Sequence, residues 1–438
     1  METTENRFYG TAKIGRVLLK IAPPVMLAQL IQAMYNIVDS FFVGMYSNDG
    51  LTALSVIYPL QLVVIALAVG TGVGVNTYMA RRYAQGGNED AENAAGTGMV
   101  LAIGSWALFA LLSGLFMRQY VRLSCSETAA IDYATTYGYI NCIGSIGVFL
   151  EGNWTKVHQA RGNMRRPMVA QIVGAVTNII LDPVLIFGAG MGIAGAALAT
   201  IIGQIGAAII VAPGAIRKPP LFKRIGHYIR QIYFYGYSSI FMQLLYTVYI
   251  LALNIILAGF SDAAVTVLGL YYKWQSFFFI PLFGLQTCIV PVLSYNYATG
   301  SYDRCRQVMN LSFLVSSAFM ILGMVGFIVF PVPLLRIFSD SAEVLEIGRI
   351  AFPIIGAGFI SAAFGLIMPS FFQALGMGIR SAFLALLRQL ICLVPIFWAL
   401  SLLGLNYAWL AFPISETISG AAGLILYLVQ LKKWKRPS

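Results

Sequence analysis

Charge is what this chain has least of. Asp, Glu, Lys and Arg together make up 10% of its 438 residues, where a soluble globular chain carries about 25%. No hydrophilic stretch is long enough to form a soluble domain, and 59% of the residues are hydrophobic. Acids are scarcer than bases, 17 against 28, which leaves a formal net charge of +11. An excess of that sign can mark a nucleic-acid binder. Here the basic residues sit in short loops between apolar spans, so they read as topology signals, and no nucleic-acid partner is expected. Histidine occurs twice and cysteine five times. Cys125, Cys142, Cys288, Cys305 and Cys392 are scattered, with no CxxC pair and no Cys/His cluster. That argues against a disulfide framework and against structural zinc. No nucleophile–base constellation stands out either, so an enzyme is not expected. The first apolar run is far longer than a signal-peptide core and lacks a small-residue cleavage site, so it reads as a helix that stays.

What the chain does have is apolar length. Its mean hydropathy is +0.79. At roughly 20 residues per crossing plus short loops, a chain this long holds about twelve helices. Helices are predicted near 15–45, 51–81, 94–118, 128–160, 164–188 and 192–213, then near 230–259, 264–297, 306–333, 343–374, 378–403 and 405–431. Between the sixth and seventh lies a basic segment, Arg217-Lys218-Pro-Pro-Leu-Phe-Lys223-Arg224. Of the 28 Lys and Arg, 22 fall at the termini and in the loops on one side; Arg118, Arg122, Arg336 and Arg349 fall on the other. Lys156 and Lys273 are the remaining two, inside or near the membrane. By the positive-inside rule both termini are cytoplasmic.

An internal repeat is readable by eye. Arg82-Tyr-Ala-Gln-Gly-Gly recurs as Asn296-Tyr-Ala-Thr-Gly-Ser, 214 positions later (296 − 82), and Leu51-Thr-Ala-Leu-Ser as Val265-Thr-Val-Leu-Gly at the same offset. Gln159-Ala-Arg-Gly recurs as Gln373-Ala-Leu-Gly, again at 214, and Leu181-Asp-Pro as Leu393-Val-Pro at 212. Six helices per repeat give both copies the same topology, with substrate expected between the halves. The predicted division is residues 1–213 as one lobe, 214–229 as a basic cytoplasmic linker and 230–438 as the second lobe. The repeat is most informative where it breaks. Asp39 corresponds to Asn254 and Asp182 to Val394, so only the first half keeps its carboxylates.

Those carboxylates are the candidate site. A charged residue at the centre of an apolar span costs roughly 2.5–3.5 kcal/mol on insertion scales, and such residues usually mark ion or substrate paths. Asp39 lies about 15 residues into its span. Asn178-Ile-Ile-Leu-Asp182-Pro183 follows a basic loop, Arg161 to Pro167. Asn178 and Asp182 stand at i, i+4 and share a helix face. Pro183 removes a backbone donor beside the carboxylate. Desolvation penalises the charged form of a buried carboxyl group, so such an acid can be neutral in one state and charged in another. The competing reading makes both residues polar anchors between helices. In the second half Glu416, at the repeat position of Gln204, is the one acid clearly inside the membrane. It is a candidate for contact with a cationic substrate or for pairing with Lys273. For Lys156 an ion pair with a nearby acid is expected, and for His158 a solvated interface position. Tyr271, Tyr272, Trp274 and Phe277 to Phe279 crowd the eighth helix, with packing or lipid contact as the default.

Several of these stretches together resemble the multidrug and toxic compound extrusion (MATE) transporters. The carrying residues are Pro24, Gln32-Ala-Met-Tyr-Asn-Ile-Val-Asp39-Ser-Phe-Phe-Val-Gly44, Gln159-Ala-Arg-Gly-Asn163, Asn178 to Pro183, and the glycine-rich run from Gly188. The resemblance covers nearly the whole chain. It implies an all-α membrane protein of twelve transmembrane helices in two six-helix bundles, related by a pseudo-two-fold axis along the membrane normal. It implies a multi-pass, monomeric secondary transporter of the plasma (inner) membrane. Its partners would be the bilayer and small organic molecules, often cationic or amphipathic, exported in exchange for H+ or Na+, with no other cofactor. The chain looks nearest to the DinF-type prokaryotic branch. By that resemblance the coupling cation would be held by Asp39, Asn178, Asp182, Tyr137 and Thr200, with Pro24 as the point where the first helix bends. One departure is Thr155 where that branch often has asparagine, with Asn153 and Lys156 beside it. The NorM-type branch places acids in helices seven and ten; here helix seven offers Gln243 and Asn254, which with Glu416 are candidate substrate contacts, and helix ten has no acid in its interior. A lipid-linked oligosaccharide flippase of the same wider superfamily is the alternative function, and it would require a strongly cationic cavity.

Overall fold

A segment surrounded by lipid must pair its own backbone polar groups, and helices do so within one segment. The computed structural model of the protein describes residues 4–124 and 128–434. Every regular element among the described residues is helical. The spans are α1 (Ile14–Tyr46), α2 (Asn48–Ala84), α3 (Asn88–Ser124), α4 (Thr128–Gly144 continuing as Ile146–Ala160), α5 (Arg165–Gly188) and α6 (Ile193–Val211). Then come α7 (Phe222–Ala258), α8 (Asp262–Phe278 continuing as Ile280–Ala298), α9 (Tyr302–Val329), α10 (Ala342–Gly356 continuing as Phe359–Ala374), α11 (Gly378–Ser401) and α12 (Leu405–Trp434). Nine of these are straight enough, long enough and apolar enough to cross a membrane among the described residues. α8 and α10 pass the same test as bent pairs, turning by 55° and 56°. α4, which carries Glu151 and Lys156, is the twelfth. Cys142, Cys288, Cys305 and Cys392 are free and buried, while Cys125 lies outside the described residues.

The repeat seen in the sequence is a repeat of helix endings. After α2 and α8, Gly86 and Gly300 take positive φ values of 75° and 71°. After α4 and α10, Gly162 and Gly376 do the same at 88° and 75°. Each glycine closes its helix in one way. The following amide donates back five residues: Gly87 to the Arg82 carbonyl (2.8 Å), Ser301 to Asn296 (2.9 Å), Asn163 to His158 (3.0 Å), Met377 to Phe372 (2.8 Å). This is the left-handed cap that glycine adopts without a Cβ penalty. The breaks in α4 and α10 also correspond, at Gly144 and Gly358. They were not expected from the sequence, which reads through both as single helices.

The chain divides into two compact units, Met1–Ile240 and Phe241–Ser438. The boundary falls inside α7. The first half of that helix is built into the first unit through its glycines. A Cβ at Gly236 would lie 2.6 Å from the Gly70 carbonyl oxygen, and one at Gly74 only 2.1 Å from the Ile232 oxygen. Tyr228 and Ile232 of α7 join a buried cluster with Val75, Tyr78, Ala91 and Ala95. At the same end a polar network holds the segment leading into α7. Glu92 accepts from Tyr83 Oη (2.6 Å), from Arg161 Nη2 at both oxygens (2.7 and 2.8 Å) and from Arg217 Nε. Burial opposes the charge of Arg161, and Tyr83 and Glu92 more than offset it. In the second unit, aromatic packing takes over: Phe327 stacks on Phe352 with centroids 4.7 Å apart and meets Phe359 at 4.8 Å.

Candidate cation site on α1, α5 and α6

Asp39 from α1 and Asp182 from α5 are both buried, Asp182 with no exposed surface. Their side chains lie within hydrogen-bonding range of each other. Asn178, one turn before Asp182, donates from Nδ2 to Asp182 Oδ1 (3.3 Å) and to Thr200 Oγ1 of α6 (3.3 Å). α5 approaches α6 where both are small: a Cβ at Gly174 would lie 2.9 Å from the Gly203 oxygen. This close approach puts Thr200 within reach of Asn178. Pro183 sits where α5 passes from its ordinary turns into the wider turns of Val184–Gly188. Such wide turns are short and frequently found at functional sites.

Three acceptor oxygens of this cluster, Asp39 Oδ1, Asp182 Oδ2 and Asn178 Oδ1, are buried and accept no hydrogen bond among the described residues. Neither carboxylate has a basic partner there. Two carboxylates brought together in a buried place repel unless a proton or a cation lies with them. Oxygen ligands without cationic neighbours suit a proton or a hard cation such as Na+.

Tyr137 of α4 is also buried, and its hydroxyl receives a hydrogen bond from Gln61 Nε2 (3.4 Å). It lies within electrostatic reach of Asp39 and Asp182. Thus Asp39, Asn178, Asp182, Thr200 and Tyr137 are brought together in the first unit. Two further residues join them, Tyr35 and Glu151. Tyr35 lies near Asp39, Glu151 and Asp182; its i−4 spacing from Asp39 was the available signal. Glu151 accepts from Thr155 Oγ1 (2.7 Å), so the residue that departs from the DinF-type pattern holds the third acid of this region. Pro24, beside Pro23, is inside α1 about four turns before Asp39.

The second unit is different. Gln243 is exposed and Asn254 half-buried on α7. Glu416 of α12 pairs with Arg388 of α11 rather than with Lys273. Lys273 instead has its Nζ 5.1 Å from the Phe338 ring centroid. Arg388, one of the 22 basic residues that the charge pattern places at the termini and in loops, lies within α11, so Lys156 and Lys273 are not the whole set of cations in the spans. Two further expectations change. His158 is buried, with Nε2 2.8 Å from the Val211 carbonyl oxygen, rather than solvated. Lys156 donates to Gln159 Oε1 (2.9 Å), with Glu151 within electrostatic reach. In α8, Tyr271 is buried and Trp274 Nε1 donates to the Leu334 oxygen (3.0 Å).

A chain of twelve helices, repeated as six and six, with a buried pair of acids among the described residues of one repeat, is the form of a membrane transporter. The model of the MatE family matches residues 24–184 and again residues 238–398, a displacement of 214 (238 − 24). The chain belongs to the MatE family, the multidrug and toxic compound extrusion transporters. It is similar to the multidrug export protein MepA of Staphylococcus saprophyticus, 23% identical over 446 residues that cover 98% of this chain and 97% of that protein. It is similar also to an FAD transporter of Shewanella oneidensis, 24% identical over 434 residues, 96% of this chain and 95% of that one. Among solved structures, an outward-facing multidrug resistance MATE family transporter of the MOP superfamily matches with a TM-score of 0.93 at 20% identity over 99% of each chain. A mutant of the Vibrio cholerae MATE transporter VcmN matches at 0.92 and 23% identity, covering 96% of this chain and 97% of that one. These neighbours have the same twelve-helix fold.

Proposed function

We propose that the protein is a cation-coupled antiporter of the plasma membrane that exports organic compounds, mainly cationic or amphipathic ones, in exchange for H+ or Na+. The observation that carries the reading is the pairing of Asp39 with Asp182, buried, in contact and without a basic partner. In the other repeat the one buried acid among the described residues, Glu416, is neutralised by Arg388. Coupling therefore belongs to the first unit. The coupling ion binds at Asp39 and Asp182, with Asn178, Thr200 and Tyr137 completing the site and Pro24 letting α1 bend. The export of drugs by the MepA relative supports the substrate class; the acidic character of the site does not suit a flippase for pyrophosphate-linked sugars. Both termini are cytoplasmic, following the charge asymmetry, and one chain is the transporting unit.

The test is uptake of a cationic dye into liposomes holding the purified protein, under a pH gradient and, separately, under a sodium gradient. One gradient drives transport in the wild type, and Asp39→Asn and Asp182→Asn abolish it. Wild-type rates in both variants would place coupling elsewhere. An FAD arm, prompted by the Shewanella relative, tests the substrate class: transport of FAD with none of the dye would overturn it.

A further inference from the structure

The first half of α7 has two unlike faces. Tyr228, Ile232, Gly236 and Ser239 point inward and are buried. Lys223, His227, Arg230, Phe234 and Tyr237 are exposed. Their spacing of four, three, four and three residues puts them in one stripe on the opposite side. The stripe changes character along its length. Three nitrogen-bearing side chains come first, over about 10 Å of helix, then two aromatic rings. Leu221, 81% exposed, and Ile216, 50% exposed, precede it.

The basic side chains of this region fall into two groups. Arg161 and Arg217 are engaged by Glu92, and Arg166 donates from Nε to the Ile210 oxygen (2.9 Å). Lys223, Arg224 and Arg230 form no ion pair among the described residues. Their own stretch of chain supplies no acid, since no Asp or Glu occurs from 183 to 261, and the nearby Asp90 lies on the inner side, accepting from Tyr228 (2.7 Å). The inner cations are thus satisfied by the protein, while the outer row faces outward with its charge uncompensated. Beyond that row come the two exposed rings, a residue type enriched where helices meet the membrane interface.

We infer that the exposed stripe Lys223–His227–Arg230–Phe234–Tyr237 of α7 is a binding site for an anionic phospholipid of the bilayer. The phosphate is held by the basic residues and an acyl chain runs along the two rings. Charge complementarity selects the headgroup: a zwitterionic lipid brings its own cation and gains less from this row. With the termini cytoplasmic, the lipid belongs to the cytoplasmic leaflet. Headgroup binding itself depends on neither orientation nor ion coupling.

The experiment uses the full-length protein in neutral detergent, titrated with phosphatidylglycerol or with phosphatidylcholine. Bound lipid is read by native mass spectrometry and stabilisation by thermal melting. Phosphatidylglycerol binds and raises the melting temperature; phosphatidylcholine does so far less. Each basic group near an anionic surface is worth about fivefold in affinity, so K223Q/R230Q weakens binding by about 25-fold. The charge-conserving K223R/R230K retains it. K432Q/K433Q, exposed cations at the end of α12, leaves it unchanged. Equal binding of the two lipids, no effect of K223Q/R230Q, or an equal loss in K432Q/K433Q would each overturn the site. All of these positions are exposed, and melting without lipid checks that each variant is folded.

Discussion

Both carboxylate oxygens of Glu416 lie on the guanidinium of Arg388: Nε donates at 3.0 and 2.9 Å, and Nη2 at 2.6 Å. The two residues are 7% and 9% exposed and sit 28 positions apart on adjacent helices. Arg388 projects from a stretch of wide turns, Leu387–Leu393. Gly365 of α10 covers the pair, since a Cβ there would lie 3.2 Å from Glu416 Oε2. A sealed, bidentate pair of this kind is a clamp within the second unit.

The clamp makes a prediction about stability. Removing one member of a buried pair strands the other charge and costs about 3–5 kcal/mol, whereas replacing both with apolar residues is often neutral. Glu416→Gln and Arg388→Met should each lower the melting temperature strongly. Arg388→Met with Glu416→Leu should recover most of the loss and still transport. A double variant no more stable than the singles would show that the charges do more than hold helices together.

A second prediction concerns the hydrogen bond that orients Asn178. Thr200→Val deletes its acceptor on α6. One such bond is worth about 1 kcal/mol net, roughly a fivefold change in an equilibrium. Cation affinity, read from the ion concentration that half-saturates transport, should weaken by about that factor, while Thr200→Ser should stay near wild type. Equal affinities in all three proteins would remove Thr200 from the site.

Proton and cargo should compete. If the cationic substrate depends on negative charge at Asp39 and Asp182, protonation removes that charge. Substrate affinity then falls as pH falls through the titration of the pair, which behaves as one coupled unit. Asp39→Asn fixes one member neutral and should flatten the dependence. Binding measured on purified protein across pH decides the matter. A wild type whose affinity is constant with pH and with sodium contradicts exchange at this site.

Pro24→Ala separates binding from movement. The missing amide of a proline weakens the ladder of a helix. Restoring that bond should leave substrate–proton competition intact and lower turnover. Unchanged turnover would show that α1 does not bend there during the cycle.

Glycine substitutions in α7 should split by their surroundings. At Gly236 a methyl group would collide with the Gly70 oxygen at 2.6 Å, and overpacking of this kind costs about 1–3 kcal/mol. At Gly226 a Cβ meets nothing within 4 Å, so alanine should gain up to about 1 kcal/mol from helix propensity. Melting curves of Gly236→Ala and Gly226→Ala should move in opposite directions.

Much of this was legible in the sequence because lipid imposes simple rules. Apolar length located the helices, and glycine in matching places marked how they end. Asp39 and Asp182 stood out because a carboxylate in an apolar run is rare. The rest depends on packing. The break at Gly144 arises within a run that reads as continuous helix, and nothing local requires it. Arg388 lies ten residues beyond Gly378, near enough to a loop to be counted with it, and its partner is on another helix. His158 looked like an interface residue because of the nearby basic loop; only the fold brings the Val211 carbonyl to its ring.

The placement of the first half of α7 has a consequence for how the protein is made. Once residue 211 is synthesised the chain of all six helices exists, yet the first unit still lacks Tyr228, Ile232 and Gly236. Until then Gly70 and Gly74 of α2 have no helix against them. The first unit is complete only when residues up to about 240 have entered the membrane, so its assembly waits for a helix whose other half belongs to the second unit. A gene cut after the sixth helix would yield a fragment missing a piece of its own interior, and two separately expressed halves divided there should recombine poorly.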